Sequence, residues 1–321
     1  MKKIFTLTLL TITLIGCNKE DISPIINSPA YTTLLLSSDL PDNAGGTNST
    51  FQDAIILEDG KMLAIIDYNL FIIENNIYTE KLNSVKAIQQ TSDGYIYVLG
   101  TDAIYTSTDN GESFSVQEKF VASQGQSYAL DLYYNGSPNN ILIKKIADGS
   151  YILWLYTEYN YSLGGTGFTQ LRYLNFVFTS IDGLNWIFQP DAGHTFHPTS
   201  IDNNGVIYLV EINSDAQTFS ENIYYTSNNL GIDIELSNKL PNAISFSNKL
   251  FNIDRIAIDT RFESTFQQWD GNNWVDLNPT LDEKALSTIP NQLIVYKVNF
   301  TLDGKMLLIN PNGIFISEST F

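Results

Sequence analysis

Few side chains in this chain could carry chemistry unaided, and their spacing narrows the choices quickly. There are two histidines, three arginines, one cysteine and 35 carboxylates in 321 residues. The histidines fall in His194-Thr195-Phe196-His197-Pro198. Two imidazoles three residues apart could share a metal, but no third ligand is indicated and a loop fixes no geometry. They read as loop histidines, and no metal or other cofactor is expected. The arginines are Arg172, Arg255 and Arg261, too few and too scattered to form an evident anion clamp. Carboxylates for general acid and base work are plentiful, yet sequence cannot measure the ~5–9 Å separations that mark a glycosidase pair. No nucleophile elbow, phosphate-binding loop, zinc-protease helix or calcium loop motif occurs. A lone cysteine, Cys17, excludes disulfides and cysteine-based zinc sites from the rest of the chain.

Cys17 has a different chemistry available. It closes Leu14-Ile15-Gly16-Cys17, behind Lys2, Lys3 and an apolar run from Ile4 to Ile15. A basic start, a short apolar stretch and a small residue before the cut describe an export signal. The run is shorter than the ~20 apolar residues a spanning helix needs. The arrangement resembles a bacterial lipoprotein precursor, in which the lipobox cysteine is diacylated and becomes the new N-terminus. Asn18-Lys19-Glu20-Asp21 then follows a Cys-x-Lys-acid-acid pattern, similar to the surface-export signal of Bacteroidetes lipoproteins. The resemblance implies a signal peptide over 1–17, a tether over 18–30, and a mature domain over 31–321. It implies an outer-membrane address facing outward, with the membrane as a partner only through lipid on Cys17.

Composition limits the partners further. Without the first 17 residues, 15 basic side chains face 35 acidic ones, a formal charge of 15 − 35 = −20. Such a surface repels nucleic acid and anionic headgroups alike. Cohesion must come from the core, and 43% apolar residues over this length suffice for one large all-β domain.

The elements that must position any site are strands. Short runs of Ile, Val, Tyr and Phe alternate with Asp-Gly, Asn-Gly and Asn-Asn turns, and only Leu281 to Leu286 suggests a helical turn. A repeat emerges: an Asp-Gly turn, an apolar strand, a hairpin, then a strand opening on Ile-Tyr or Ile-Phe. Turns at Asp59-Gly60, Asp93-Gly94, Asp148-Gly149, Asn204-Gly205 and Asp303-Gly304 mark five units. Phe251 to Trp269 supplies a sixth with a decayed turn. Spacings run from 93 − 59 = 34 to 204 − 148 = 56 residues. Four-stranded units at that period are propeller blades. The expected fold is therefore all-β, a six-bladed propeller of four-stranded antiparallel sheets, with seven blades as the alternative count. Each Asp-Gly is expected to join a blade's middle strands through a two-residue loop. Tyr31 to Leu36 is a lone strand that could complete the last blade, whose own sequence ends one strand short.

Several units run on into a second signal. Ser107-Thr108-Asp109-Asn110-Gly111-Glu112-Ser113-Phe114 has serine, aspartate, glycine and an aromatic in fixed order. Ser180-Ile181-Asp182-Gly183-Leu184-Asn185-Trp186 repeats it with one residue fewer before the glycine. Ser227-Asn228-Asn229-Leu230-Gly231 is a worn copy, and Asp270 to Trp274 keeps the turn and the tryptophan. Side-chain oxygens at these positions can cap the backbone of a tight hairpin, with the aromatic folding back between sheets. These motifs resemble the BNR/Asp-box propellers, a group that includes sialidases and many non-enzymatic surface proteins. The resemblance implies that Ser107, Asp109, Gly111, Phe114, Ser180, Asp182, Gly183 and Trp186 are structural fasteners rather than catalytic residues. Sialidase activity would also need an arginine triad, a Tyr/Glu pair and an Arg-Ile-Pro segment. The nearest string, Arg255-Ile256-Ala257, departs at the proline.

For ligand contact, the insertion from Tyr151 to Phe168 stands out. Trp154, Tyr156, Tyr159 and Tyr161 approach the segment Gly164-Gly165-Thr166-Gly167. Aromatics there could stack on a sugar or anchor a protein; as part of a lengthened hairpin they would instead face a neighbouring blade. The functional expectation is a lipid-anchored, cell-surface propeller that binds or scaffolds a glycan or protein without catalysis. The competing class is a glycoside hydrolase or lyase with axial carboxylates.

Overall fold

The computed structural model describes residues 29–101, 103–117, 140–162, 169–189, 192, 196–211, 223–258, 261–284 and 294–321. Over 157–162, 169–174, 254–258 and 261–263 the description is of backbone alone. Cys17 and its leader, the tether to residue 28, His194 and the Gly164–Gly167 segment lie outside the described residues.

Six antiparallel sheets follow one another along the chain and form a six-bladed propeller, which settles six blades over seven. The first strand, β1 (Ala30–Leu36), belongs to the last blade. Blade 1 is β2 (Phe51–Ile56), β3 (Met62–Ile66), β4 (Asn69–Glu74) and β5 (Ile77–Leu82). Blade 2 is β6 (Val85–Gln90), β7 (Ile96–Gly100), β8 (Ile104–Ser107) and β9 (Ser115–Gln117). Blade 3 is β10 (Asn140–Lys145), β11 (Tyr151–Ser162), β12 (Thr169–Ser180) and β13 (Ile187–Phe188). Blade 4 is β14 (His197–Ile201), β15 (Ile207–Glu211), β16 (Ile223–Ser227) and β17 (Glu235–Leu236). Blade 5 is β18 (Ala243–Ile244), β19 (Leu250–Ile258), β20 (Arg261–Trp269) and β21 (Trp274–Leu277). Blade 6 pairs β23 (Lys297–Phe300), β24 (Lys305–Asn310) and β25 (Gly313–Thr320) with β1, and β22 (Thr280–Leu281) lies parallel to β1 beyond it. Two 3-10 turns, Ser37–Asp39 and Asp42–Ala44, which no sequence signal announced, lead from β1 into blade 1. The expected helical turn at 281–286 is described only to Lys284, where Glu283 and Lys284 are helical.

The apolar runs that mark the second strands have a simple cause. Blades 1, 2, 3 and 6 are covered on both faces by their neighbours, so both sets of alternating side chains in their second strands are buried. Met62–Ile66 and Ile96–Gly100 are buried at every position. Ile55, Leu63 and Ile65 of blade 1 pack against Val85, Ile96 and Val98 of blade 2. Ala87, Tyr97 and Leu99 meet Leu153, Leu155 and Phe178 of blade 3. Ile152, Trp154 and Tyr156 leave the other face of blade 3 toward Ile201, Ile207 and Leu209 of blade 4.

One expectation about the turns is corrected. Asp-Gly joins a blade's innermost strand to its second, not its middle pair. Only the second strand carries a continuous apolar run; the innermost strand mixes residue types, as in Phe51-Gln52-Asp53-Ala54. The loop also has three residues rather than two. In blade 1 the Leu57 N–H donates to Lys61 O at 2.8 Å and Gly60 N–H to Leu57 O at 2.9 Å, with Gly60 at φ +84°. That is a turn ending in a left-handed bulge. Two-residue hairpins do occur without Asp-Gly, at Asp67-Tyr68 between the middle strands β3 and β4, with φ of 47° and 65°, and at Asn75-Asn76 between β4 and β5, with φ of 50° and 62°.

The ring closes as the sequence suggested. β1 runs antiparallel to β25, pairing Tyr31 with Ser317 and Leu36 with Gly313. Tyr31 is 2% exposed, packs with Phe251, Phe266 and Phe315 between blades 5 and 6, and donates its O–H to Met306 Sδ at 3.1 Å. If this strand holds the ring shut, Tyr31→Ala should lower stability by about 3–5 kcal/mol, as for other large aromatic truncations. Tyr31→Phe loses only the hydroxyl contact and should cost about 1 kcal/mol. Urea unfolding of both variants measures the difference, and equal midpoints for the two would contradict a closing role.

Candidate functional site

Within each blade, strands one and three run the same way, so the turns following both lie at one end of the propeller. The Asp-Gly loops and the serine–aspartate hairpins share that end. The starts of the innermost strands, including His197, Asn140 and Lys297, lie at the other.

The hairpin end is a set of fasteners. Ser107 Oγ donates to Asp109 Oδ1 at 2.7 Å and accepts from Gly111 N–H at 2.9 Å, while Asp109 accepts from the Ser113 N–H and hydroxyl. Those Ser113 hydrogen bonds, with the one from Ser107, hold the Asp109 carboxyl down to about 2. Asp182 accepts from the N–H groups of Asn185 and Leu184 and from Ser180 Oγ, which holds its carboxyl well below the usual range. The worn copy keeps the same geometry: Ser227 Oγ donates to Asn229 Oδ1 at 3.0 Å, and Asp233 N–H donates to that same oxygen at 2.9 Å. Each hairpin also reaches the preceding blade. Tyr97 Oη of blade 2 donates to Gly183 O at 2.8 Å, and the Trp186 ring stands edge-on to Tyr97 with centroids 6.0 Å apart. A side chain at Gly183 would collide with that hydroxyl at 2.7 Å, so the close approach requires glycine. Phe114 packs into the layer between blades 1 and 2.

Along the axis, the innermost strands are stitched side to side. Asp53, fully buried on β2, accepts from Ile88 N–H of blade 2 at 2.9 Å and from Asn299 Nδ2 of blade 6 at 2.7 Å. Lys297 Nζ lies 2.9 Å from the same carboxylate. Gln89 Oε1 accepts from Ile143 N–H, linking blades 2 and 3, and Ser200 Oγ donates to Pro241 O, linking blade 4 to the approach of blade 5.

Between the strand starts lies a cavity of about 250 Å3. Its wall includes Tyr156, His197, Tyr296, Lys297, Asn140 and Asn242. His197 is half-buried with its ring edge-on to Tyr156 at 5.0 Å, and burial pushes its pKa down to about 4, so it is neutral at pH 7. Tyr296 is 54% exposed at the rim. No carboxylate lines the cavity among the described residues; Asp53, deeper on the axis, is engaged by three donors and by Lys297, which does line it. The described residues hold no cluster of three metal-ligating side chains.

The aromatics of the insertion divide. It is a long hairpin: β11 and β12 pair continuously from Tyr151↔Ser180 to Ser162↔Thr169. Trp154 is corrected from ligand contact to core, being 0% exposed with its Nε1–H on Asn175 Oδ1 at 2.9 Å. Strand alternation turns it into the layer between blades 3 and 4. Tyr156 sits on that same face, one turn of the pleat nearer the cavity, and lines it. Tyr159 and Tyr161 pair through their backbones with Arg172 and Gln170; their side chains, like those of the three arginines, are outside the described residues. His197 is corrected too. It opens the innermost strand of blade 4 instead of lying in a loop, because the β-region bias before Pro198 suits a strand start. Reading His197 with the strand that follows, as the first residue of a blade, could have placed it on the axis.

The described chain is thus an all-β propeller with a polar and aromatic axial cavity at one end. No family model matches it, and no curated protein matches its sequence. Among solved structures it is similar to the extracellular domain of a proposed one-component system from B. thetaiotaomicron, at 12% identity and TM-score 0.50. That match covers 92% of this chain and 42% of the other, so the chain spans less than half the length of that relative. It is also similar to a Hadza microbial sialidase, at 9% identity and TM-score 0.46, covering 88% of this chain and 67% of that one. A gluconolactonase from Xanthomonas campestris follows at 10% identity and TM-score 0.45, covering 84% and 86%. At these identities the likeness speaks to fold alone.

The fasteners carry a pH signature. A carboxyl held below its unfolded pKa contributes stability above that unfolded value, and the contribution is lost as pH falls through the folded one. The melting temperature should therefore fall between about pH 4 and 2 as Asp109 protonates, with Asp182 following at lower pH. Asp182→Ala should cost about 1–2 kcal/mol, like loss of a helix cap. Asp182→Asn should cost less, because Asn229 shows that an amide can hold the same turn. Melting curves at pH 7 would contradict this ordering if the two variants were equally destabilised.

Proposed function

We propose that the chain is an outer-membrane lipoprotein, anchored through Cys17 and facing outward, whose propeller is a non-catalytic recognition module for glycans. The observation that carries the recognition reading is the wall chemistry of the outer axial cavity. Tyr296 offers an exposed aromatic face beside the edge of the largely buried Tyr156, and Asn140 and the Gln89 amide nitrogen offer polar contacts. Asn242 and Thr199 are held in place by their bonds to the Ile253 and Pro241 backbone. Sugar rings present an apolar face and a fringe of hydroxyls, which such a wall complements. Hydrolysis of a glycosidic bond would instead ask for two convergent carboxyl groups. Asp53, the axial carboxylate nearest to this role, is held by backbone and amide donors from three blades and by Lys297. The extracellular setting of the B. thetaiotaomicron relative agrees with an exported protein. No helix among the described residues is long and apolar enough to cross a membrane, and attachment in this reading falls to the lipid.

Two measurements test the proposal. In cells fed an alkynyl fatty acid, the wild-type chain should take up label and be shaved by external protease, whereas Cys17→Ser should lose the label. On a glycan array, the chain should retain particular saccharides, and Tyr296→Ala should weaken the best of them at least tenfold while leaving the melting temperature unchanged. Multiple turnovers of any chromogenic glycoside would replace the recognition reading with a catalytic one.

A further inference from the structure

Farther along the axis a second, smaller cavity of about 110 Å3 shares Gln89, Leu142, Thr199, Asn242 and Val298 with the outer one. Two of its polar wall residues are buried without the company that burial demands. Gln90 is 9% exposed, and neither its amide oxygen nor its amide nitrogen has a hydrogen-bond partner. Lys144 is 8% exposed, and no carboxylate among the described residues lies within ion-pair distance of its ammonium. The ammonium stands over the Phe246 ring, whose centroid is 5.7 Å away. Asp202, on the turn after β14, acts on Lys144 only through space, its Oδ1 being engaged by Asn204 and Val206 N–H groups. No other titratable group lines this chamber among the described residues.

A buried amide without a hydrogen bond and a buried ammonium without an ion pair, both in the wall of one cavity, are costly. Water could satisfy the amide, but only an anion can also balance the charge. The volume admits several waters or one small anion, not a sugar ring. We propose that this inner axial chamber is a binding site for a small carboxylate, held by the Lys144 ammonium and the Gln90 amide N–H groups. The carboxylate could arrive as a free acid or as the acidic group of a sugar seated in the outer cavity. The site does not depend on the glycan reading, since a free carboxylate suffices. Burial lowers the Lys144 amine to about 8, so the ligand-free site is mostly protonated at pH 7 and becomes neutral above pH 8.

The test uses the full chain in detergent, titrated with sodium formate, acetate and glucuronate against a bulky sulfonate salt at equal ionic strength. Melting temperature and calorimetry are the readouts. At pH 7 the wild type should gain a saturable rise in melting temperature. The affinity should fall about tenfold per pH unit above 8. Lys144→Met removes an uncompensated buried charge, so it should melt no lower than wild type without carboxylate and bind at least tenfold more weakly. Response to formate and acetate identifies a free acid as the ligand, and response to glucuronate alone identifies a tethered one; either supports the site. No response in wild type, or an equal response in Lys144→Met, overturns it. Should Lys144→Met fail to fold, acylation of wild-type Lys144 followed by mass spectrometry decides: protection by formate or glucuronate supports the site, and unchanged labelling with both overturns it.

Discussion

Blades 1, 2, 3 and 6 each have two apolar faces, and a sheet apolar on both faces is not stable in water by itself. That constraint organises the rest. Tyr151, Leu153 and Leu155 point one way from β11, Ile152 and Trp154 the other, and both sets are buried. A fully buried side chain of this size contributes roughly 1.5–3 kcal/mol, but only while the neighbouring blade is in place. Blade stability is therefore shared around the ring, and the first and last blades must meet. The exchange of β1 into the sheet of blade 6 does this, covering an edge that would otherwise be open to pairing with other chains.

Packing alone does not set the angle between blades; polar stitches at two radii do. Near the axis Asp53 accepts from blades 2 and 6 at once, so a single carboxylate ties three innermost strands together. Toward the hairpin end, Tyr97 bonds Gly183 across blades 2 and 3, and Lys61 of blade 1 reaches Glu112 of blade 2 at 2.8 Å. The surface ion pair is worth little in water. The buried carboxylate is different, because removing one partner would strand a charge. It was the outward-facing motif, however, that the sequence displayed.

That asymmetry explains what could be read in advance. The hairpins were legible because a tight turn needs particular residues at particular offsets: Ser107, Asp109 and Gly111 each satisfy a stated backbone demand. Second strands were legible because burial on both faces gives unbroken apolar runs such as Met62–Ile66. The innermost strands were not. One side of each faces a polar axis and the other a packed layer, and neighbours from other blades decide which polar residues are tolerated. Asp53, Gln90 and Lys144 lie within such strands and resemble solvent-facing residues until the ring is assembled. The aromatic insertion misled for a related reason. Trp154 and Tyr156 are two residues apart on one face of β11, yet one is sealed against Asn175 and the other borders the cavity. Depth along a strand, not residue type, separates them.

The division of labour between the two ends follows from the same geometry. Loops after the first and third strands are short, and their side chains are committed to capping one another and to the neighbouring blade. Connections at the other end carry no such repeated motif and vary from the tight Asn310–Gly313 link to the long approach of β23. An end whose turns are fixed by stability has little freedom to acquire a ligand. The end whose loops are released from that duty surrounds the wider cavity, where Tyr156, His197 and Tyr296 come from three different blades. The strong negative charge of the chain does not extend inward to this axis. Lysines 144 and 297 are among its wall residues, and the buried carboxylate Asp53 is offset by one of them. An acidic exterior around an axis with cationic groups favours ligands that enter for specific contacts over those drawn by the overall field.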